Sequence, residues 1–150
     1  MTAKDFEDTA YWMLLQVSIR VKHDFAKLAD VYDLTVMQIV TLCSLKTGES
    51  VPMNMISCLL VCDASNVTGI VDRLVQRGYI YRQESDEDRR VKVIGLTVKG
   101  ERLRETVLRE ISTTQPDSMS ALSPDEFETL RKLLKKALLR KNAPALKYTK

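Results

Sequence analysis

The most informative stretch of the chain spans residues 63–100 and reads DASNVTGIVDRLVQRGYIYRQESDEDRRVKVIGLTVKG. Asp63 is a favourable helix N-cap, and residues 64–77 follow it with an amphipathic helical pattern that ends at Gly78. Two runs rich in β-forming residues then flank the all-polar loop 84–90, which is longer than a tight turn requires. The stretch therefore predicts a short helix followed by a β-hairpin with a projecting tip.

A second short helix is predicted at residues 53–61, which are apolar and lie one tight turn before Asp63. Two such helices form a helix-turn-helix, whose second helix enters the DNA major groove when its exposed side chains are short and polar. A small polar cluster occupies the start of the second helix, where the helix dipole also favours phosphate: Ser65, Asn66, Thr68 and Gly69. This helix is a candidate recognition helix; an ordinary surface helix is the alternative interpretation.

The hairpin loop carries two arginines, Arg89 and Arg90, directly after three acids at positions 86–88. Arginine is attracted to narrow minor grooves, where negative potential is concentrated. The acids would repel DNA unless at least one of them forms a salt bridge that orients an arginine. The alternative interpretation is a charge-balanced, solvated hairpin. A basic wing directly after a small-polar helix favours DNA binding.

Helical patterns precede this unit. Apolar residues recur at helical spacing from residue 4 to about 30 without Gly or Pro, which predicts one helix about 40 Å long. A helix of that length is expected to reach a partner subunit. Thr35 is predicted to cap a second helix, which ends in a turn centred on Gly48, and a brief extended piece follows at Val51.

Two further helices are predicted after the hairpin. Thr97 is a suitable cap for the first, and residues 113–122 interrupt the helical pattern. Ser123, Pro124 and Glu126 combine an N-cap, a proline at the first helical position and an acid three residues after the cap. This combination is a strong signal for the start of the last helix.

Composition narrows the class of protein. The chain has 150 residues, of which 45% are hydrophobic and 29% charged, as expected for one soluble domain with a real core. Residues 1–72 carry a net charge of −4 and residues 73–150 a net charge of +7, so positive potential is concentrated in the second half. The sequence lacks a membrane-length apolar run and a secretory signal, which predicts a cytoplasmic protein without a membrane partner.

The three cysteines, Cys43, Cys58 and Cys62, are interpreted as small core residues. Cys58 and Cys62 lie four residues apart, so a thiol- or metal-responsive switch is the alternative. His23 is the only histidine and there is no CxxC motif, so no metal site is predicted. The sequence has no catalytic triad, phosphate-binding glycine loop or identifiable carboxylate pair, and we therefore expect neither an enzyme nor a cofactor.

The order of the predicted elements resembles the MarR (multiple antibiotic resistance regulator) family of winged-helix transcription factors. The matching motifs extend over essentially the whole chain and are Leu34-Thr35 with Gln38, Leu42 and Leu45; Ser65-Asn66-Val67-Thr68 followed by Val71-Asp72-Arg73-Leu74; Gly78; Asp88-Arg89-Arg90; Leu96-Thr97-Val98-Lys99-Gly100; and Leu122-Ser123-Pro124 with Phe127. The resemblance implies a mainly α fold with a small β-hairpin wing. It implies a single domain, residues 1–150, with a winged helix-turn-helix lobe at about 34–98 and dimerisation helices at about 4–31 and 98–142.

The resemblance also implies a function. A homodimeric, sequence-specific DNA-binding regulator is expected, a repressor that binds a pseudo-palindromic operator and is released by a small effector. The predicted DNA-binding residues are Ser65, Asn66, Thr68, Gly69, Arg73, Arg77, Arg89 and Arg90. Arg90 matches the family's wing-tip arginine, and Asp88 matches the acid that supports the tip. Gly69 departs from many relatives, which have a longer side chain at that position.

Members of the family often respond to phenolic or other anionic ligands, bound between the dimerisation helices and the DNA-binding lobe, or to thiol oxidation or metal. The candidate effector residues are Trp12, Met13, Gln16, Arg20 and Met37, each of which could instead be a core or interface residue. The redox-sensing branch has its reactive cysteine near the start of the first helix, where this chain has none. Two alternatives remain: a thiol- or metal-responsive DNA-binding sensor that uses Cys58 and Cys62, and a winged helix that binds a protein.

Overall fold

The computed structural model describes residues 3–60 and 64–139. Within these ranges the chain forms seven α-helices, one 3-10 turn and three strands: α1 Ala3–Glu7, α2 Ala10–Val31, α3 Val36–Ser44, β1 Ser50–Pro52, α4 Met53–Leu60, α5 Ala64–Gln76, β2 Ile80–Glu84, β3 Lys92–Leu96, α6 Val98–Thr113, the 3-10 turn Asp117–Met119, and α7 Pro124–Leu138. The predicted mainly α fold with a small β wing is confirmed. No helix within these ranges is long and apolar enough to cross a bilayer.

The single first helix predicted from residue 4 to about 30 is wrong at its start, because the chain leaves helical geometry at Asp8 and Thr9. The Thr9 hydroxyl oxygen accepts a hydrogen bond from the Trp12 backbone N–H at 3.2 Å and so caps α2. Threonine satisfies a free N–H better at a helix start than in a helix interior, which explains the break. The remaining helix α2 has 22 residues and is about 33 Å long.

The core of the winged lobe lies where α3 and α5 pack against the sheet. Its fully buried side chains include Ile39, Leu42, Val71, Leu74 and Ile94. The start of α3 has the predicted Thr35 cap, completed by Gln38: the Thr35 hydroxyl accepts from the Gln38 N–H at 3.2 Å, and the Gln38 side-chain oxygen accepts from the Thr35 N–H at 2.9 Å. These contacts make α3 a fixed support for α5.

The three strands form one antiparallel sheet in the order β1-β3-β2. β2 and β3 are the predicted hairpin, with Ile80 opposite Leu96. β1 pairs with the other edge of β3, with Val51 opposite Ile94. The sequence predicted an extended piece at Val51 but not this pairing, which anchors the base of the wing to the segment just before α4.

Residues 96–100 connect the wing to α6. The Thr97 hydroxyl accepts from the Gly100 N–H at 3.1 Å, as the predicted cap requires, and donates to the Gly78 carbonyl oxygen at 2.6 Å. The Thr97 N–H donates to the Tyr79 carbonyl oxygen at 3.1 Å. A Cβ atom at Gly100 would lie 1.8 Å from that same oxygen, so a glycine is needed there. The motif therefore fixes α6 against the base of the wing.

Two helices at the ends of the chain have apolar side chains on the protein surface. Ser123 and Glu126 form the predicted capping box at the start of α7. The exposed apolar residues of α2 and α7 are Tyr11, Met13, Leu14, Leu15, Ile19, Val31, Leu133, Leu134 and Leu138. Surfaces of this kind suit a partner, and dimerisation through these helices remains a prediction. Residues 140–142 of the second predicted dimerisation segment, and the predicted cap Asp63, lie outside the described residues.

Candidate nucleic-acid interface

Helix α5 presents a polar face to solvent. Asn66, Thr68, Gly69 and Arg73 are exposed, while the intervening residues on the opposite face, Val67, Val71 and Leu74, are buried. Ser65 lies in the first turn of this helix. The helix therefore offers short polar groups at its N-terminal end, as the sequence predicts for a recognition helix.

Gly69 lies in the open part of this face. A Cβ atom at Gly69 would have no neighbour within 4 Å, so packing does not demand a glycine there. At Gly100, in contrast, the Tyr79 carbonyl group leaves no room for a side chain. The lack of a side chain at Gly69 allows another molecule to approach the helix backbone closely.

Asp88 organises the tip of the wing. Its side-chain oxygen Oδ1 accepts a hydrogen bond from the Arg90 N–H at 3.0 Å, and its carbonyl oxygen accepts from the Val91 N–H at 2.9 Å. The Arg90 guanidinium Nε lies 3.9 Å from the same Oδ1 atom, and the Arg90 side chain is 95% exposed. Asp88 thus orders the backbone of the tip and leaves the arginine available to a ligand.

Ion pairs connect α5 to the wing and the two wing strands to each other. Arg82 of β2 donates to Asp72 of α5 at 2.6 Å, and Lys92 of β3 lies 2.8 Å from Glu84 of β2. The Asp72–Arg82 contact links α5 to the wing. Sequence reasoning did not assign Asp72 or Arg82 a role; the only available signal was their opposite charge on consecutive predicted elements.

Two arginines near the end of α5, Arg73 and Arg77, are predicted to bind DNA, and they lie in different environments. The Arg77 side chain is only 29% exposed, and its guanidinium group is hydrogen-bonded to Asp33 and to the Tyr32 carbonyl oxygen. The Arg73 side chain is exposed. A contact between Arg77 and DNA, as predicted from the sequence, would require these hydrogen bonds to break.

The five predicted effector residues lie on two elements. Four of them, Trp12, Met13, Gln16 and Arg20, occupy the first half of α2, where the Trp12 ring lies 5.1 Å from the Phe6 ring between centroids. Met37 lies on α3 and packs against the core of the winged lobe. Their joint contact with one ligand therefore remains a prediction.

Two cavities of the described structure are lined by other residues. One, of about 320 Å³, lies between α2 and the end of α6 and has an apolar floor of Phe25, Leu28 and Ile111. The other, of about 610 Å³, is polar and lies between the α2–α3 turn and the end of α5, beside Asp33 and Arg77. None of the five predicted effector residues lines either cavity.

The cysteines do not share one environment. Burial raises the pKa of the half-buried Cys43 thiol on α3, which disfavours the reactive thiolate. The core prediction is wrong for Cys58, which is exposed because it points away from the α4 face that buries Ile56 and Leu60. Cys62 lies outside the described residues. Within the ranges that the structure describes, no group of three His, Cys, Asp or Glu residues is placed to hold a metal ion.

Comparison with known proteins identifies relatives over most of the chain. The MarR family model matches residues 34–92. The transcriptional repressor MprA of Escherichia coli K12 is 36% identical over 104 residues, which cover 69% of this chain and 58% of MprA. The HTH-type transcriptional regulator PapX of Escherichia coli is 30% identical over 132 residues, covering 84% of this chain and 80% of PapX. The chain thus matches little more than half the length of MprA but most of PapX.

Solved structures share the fold. A cysteine-to-serine variant of Escherichia coli MarR complexed with operator DNA superimposes with a TM-score of 0.75 at 23% identity, covering 92% of this chain and 99% of that one. Bordetella bronchiseptica BpsR, described for the regulation of its DNA binding by 6-hydroxynicotinic acid, gives a TM-score of 0.75 at 23% identity, covering 90% and 96%. The sequence motifs, the family match and the shared winged helix-turn-helix agree, and the chain belongs to the MarR family of transcriptional regulators.

Proposed function

We propose that the chain is a homodimeric, sequence-specific DNA-binding regulator that represses transcription until a small effector releases it. The observation that carries the proposal is the unit formed by α5 and the wing. Its helix has an exposed polar N-terminal half, and Asp88 orders a tip from which Arg90 extends into solvent. In this proposal α5 enters the major groove and Arg90 reaches the adjacent minor groove or backbone.

In the proposed dimer, the second copy supplies a second DNA-binding unit of α5 and wing. The exposed apolar faces of α2 and α7 are the surfaces through which two copies would associate. A two-fold dimer reads a pseudo-palindrome, with its recognition helices about one helical turn, ~34 Å, apart. A change of a few ångströms in that spacing would misplace one helix, which is how an effector would weaken binding.

The proposed effector is a small phenolic or other anionic molecule. Support comes from the BpsR structure, whose DNA binding is regulated by an aromatic acid. In this chain the proposed contacts are the α2 residues Trp12, Met13, Gln16 and Arg20 together with Met37. Arg20 is exposed and would supply the positive charge that an anionic ligand requires.

Selection of binding sites from random duplex DNA tests the proposal. We expect the wild-type protein to enrich a pseudo-palindromic sequence and to bind it far more tightly than a random duplex. Arg90→Ala should weaken binding and reduce the slope of log affinity against log salt by about 2, because each lobe loses one cation that neutralises phosphate charge, worth about 0.9. Arg109→Ala, which removes an exposed arginine from α6, is the matched control and should change neither.

Two results would contradict parts of the proposal. Failure to enrich any sequence would contradict the proposal that the protein binds DNA sequence-specifically. Unchanged affinity and salt slope in Arg90→Ala would show that the wing tip does not contact DNA.

A thiol-responsive regulator is the second candidate, because Cys58 is exposed on α4, the first helix of the helix-turn-helix. In that case oxidation or alkylation of the wild-type protein should weaken its binding to the selected duplex, and Cys58→Ser should be resistant. Equal binding before and after alkylation would remove this candidate.

A further inference from the structure

Two helices, α2 and α5, have their C-terminal ends capped by cations from other segments. The first is α2, whose C-cap residue is Tyr32. The Arg77 guanidinium donates through Nη2 to the Tyr32 carbonyl oxygen at 3.2 Å. Its Nη1 atom donates to the Asp33 carbonyl oxygen and, at 3.0 Å, to the Asp33 carboxylate. Carbonyl groups at a helix C-terminus carry partial negative charge, so a cation is stabilising at this position.

The second capped end is that of α5 itself. Lys99, in the first turn of α6, donates from Nζ to the Arg77 carbonyl oxygen at 2.9 Å. The Tyr79 ring lies beneath both cations, 4.7 Å from Lys99 Nζ and 5.6 Å from Arg77 Cζ. Lys99 therefore connects α6 to the end of α5, and Arg77 connects the end of α5 to the end of α2. We name this pair of contacts the helix-end relay.

The relay depends on backbone geometry more than on the ion pair. The Asp33 side chain is 96% exposed, so its attraction to Arg77 is largely screened by water. However, Asp33 has a φ of +52°, a left-handed conformation that non-glycine residues seldom adopt. The chain turns sharply there, and the carbonyl groups of residues 32 and 33 both accept hydrogen bonds from Arg77.

We propose that Arg77 is a positioning residue for operator binding, which fixes the tilt of the recognition helix relative to α2. This inference rests on the proposed function, in which α5 contacts DNA and α2 contacts the partner subunit. The relay holds the C-terminal end of α5, whereas the predicted base contacts Asn66, Thr68 and Gly69 lie in its N-terminal half. A helix of 13 residues is about 20 Å long, so a tilt of about 10° moves its far end by about 3 Å. That displacement matches the rise of one base pair.

In this proposal Arg77 positions α5 and does not contact DNA itself. The two roles predict different effects of salt concentration on the affinity for DNA. A side chain that contacts phosphate displaces counterions, so its removal reduces the salt slope by about 0.9 in each lobe. A positioning residue lowers affinity without changing the number of phosphate contacts. Arg73, four residues earlier on α5 and exposed, is the matched arginine and is expected to contact DNA directly.

The experiment measures binding of the full chain to a duplex selected by the wild-type protein, and to duplexes with one base pair added or removed between the half-sites. Arg77→Ala should weaken binding to the selected spacing by about 3- to 30-fold, keep the wild-type salt slope, and reduce the preference for that spacing. Arg73→Ala should instead reduce the salt slope by about 2 in a dimer and keep the spacing preference.

Asp33→Gly separates the ion pair from the carbonyl contacts. Glycine suits the left-handed turn and keeps both carbonyl groups that accept from Arg77, so the variant should remain folded and keep the wild-type spacing preference, although it loses the carboxylate. A spacing preference as weak as that of Arg77→Ala would show that the ion pair, and not the backbone contact, positions the helix.

A reduced salt slope or an unchanged spacing preference in Arg77→Ala would overturn the inference while leaving DNA binding intact. Absence of wild-type binding to any selected duplex would overturn the proposed function and this inference together.

Discussion

Replacement of Gly100 by alanine is the sharpest test of how the wing is attached to α6. The new Cβ atom would lie 1.8 Å from the Tyr79 carbonyl oxygen, far inside van der Waals contact with a backbone atom. Relief requires α6 to move away from the wing, and this movement strains the hydrogen bond from the Thr97 N–H to the same oxygen. The Thr97 cap of α6 is then weakened as well.

The magnitude follows from three contributions. Overpacking in a closely packed site costs about 1–3 kcal/mol, and loss of a helix cap costs about 1 kcal/mol. Alanine in place of glycine in the first turn of α6 returns at most about 1 kcal/mol. The free energy of unfolding should therefore fall by about 1–3 kcal/mol, which corresponds to a melting temperature lower by about 2–12 °C for a domain of this size.

Gly69→Ala is the matched control, because a Cβ atom at Gly69 meets no neighbour within 4 Å and the residue lies in the interior of α5. This variant should gain about 1 kcal/mol of stability. Urea denaturation followed by circular dichroism, at one fixed protein concentration, measures both changes. If Gly100→Ala were as stable as Gly69→Ala, the close approach of α6 to the Tyr79 carbonyl group would be wrong.

Three other predictions concern the site and its support. Asp88→Ala should weaken binding to the selected duplex although it removes a negative charge, because the tip loses its order; tighter binding in a mobility-shift assay would show that Asp88 acts only by repulsion. Asn66→Ala should change the base preference recovered by a repeated selection, and an identical selected sequence would exclude Asn66 from base contact. The hydrogen bond to Glu110 raises the pKa of Tyr32 to about 12, so the neutral phenol stabilises the fold below pH 10 and this stabilisation is lost between about pH 10 and 12. Tyr32→Phe should be less stable by about 1 kcal/mol at neutral pH and should approach the wild-type stability above pH 12, whereas a constant difference across this range in urea titrations would contradict the assignment.

Local chemistry explains why much of the fold was predictable. The caps at Thr35, Thr97 and Ser123 are formed by side chains within three residues of the helix start, so the sequence contains the whole signal. The bounds of α5 follow in the same way from its amphipathic pattern and from Gly78, whose φ of +72° suits a helix end. The break at Thr9 had the same kind of signal, but the apolar pattern continued across it.

Contacts between distant residues account for the rest. Arg77 and Asp33 are 44 residues apart, so no periodicity indicates that this arginine faces another helix rather than DNA. The pairing of β1 with β3 joins residues more than 40 positions apart and involves only three residues of β1. The exposure of Cys58 depends on which face of α4 is packed. Asn54 and Ser57 mark its solvent face, but a free cysteine is so often buried that the residue type outweighed this signal.

A hydroxyl-radical footprint of the wild-type protein on its selected duplex tests the central claim, that two α5–wing units of one dimer read two half-sites. We predict two protected zones on one face of the DNA, centred about one helical turn, or ~34 Å, apart, with flanking protection that disappears in Arg90→Ala. A single protected zone, or protection no different from that on a random duplex, would contradict the account.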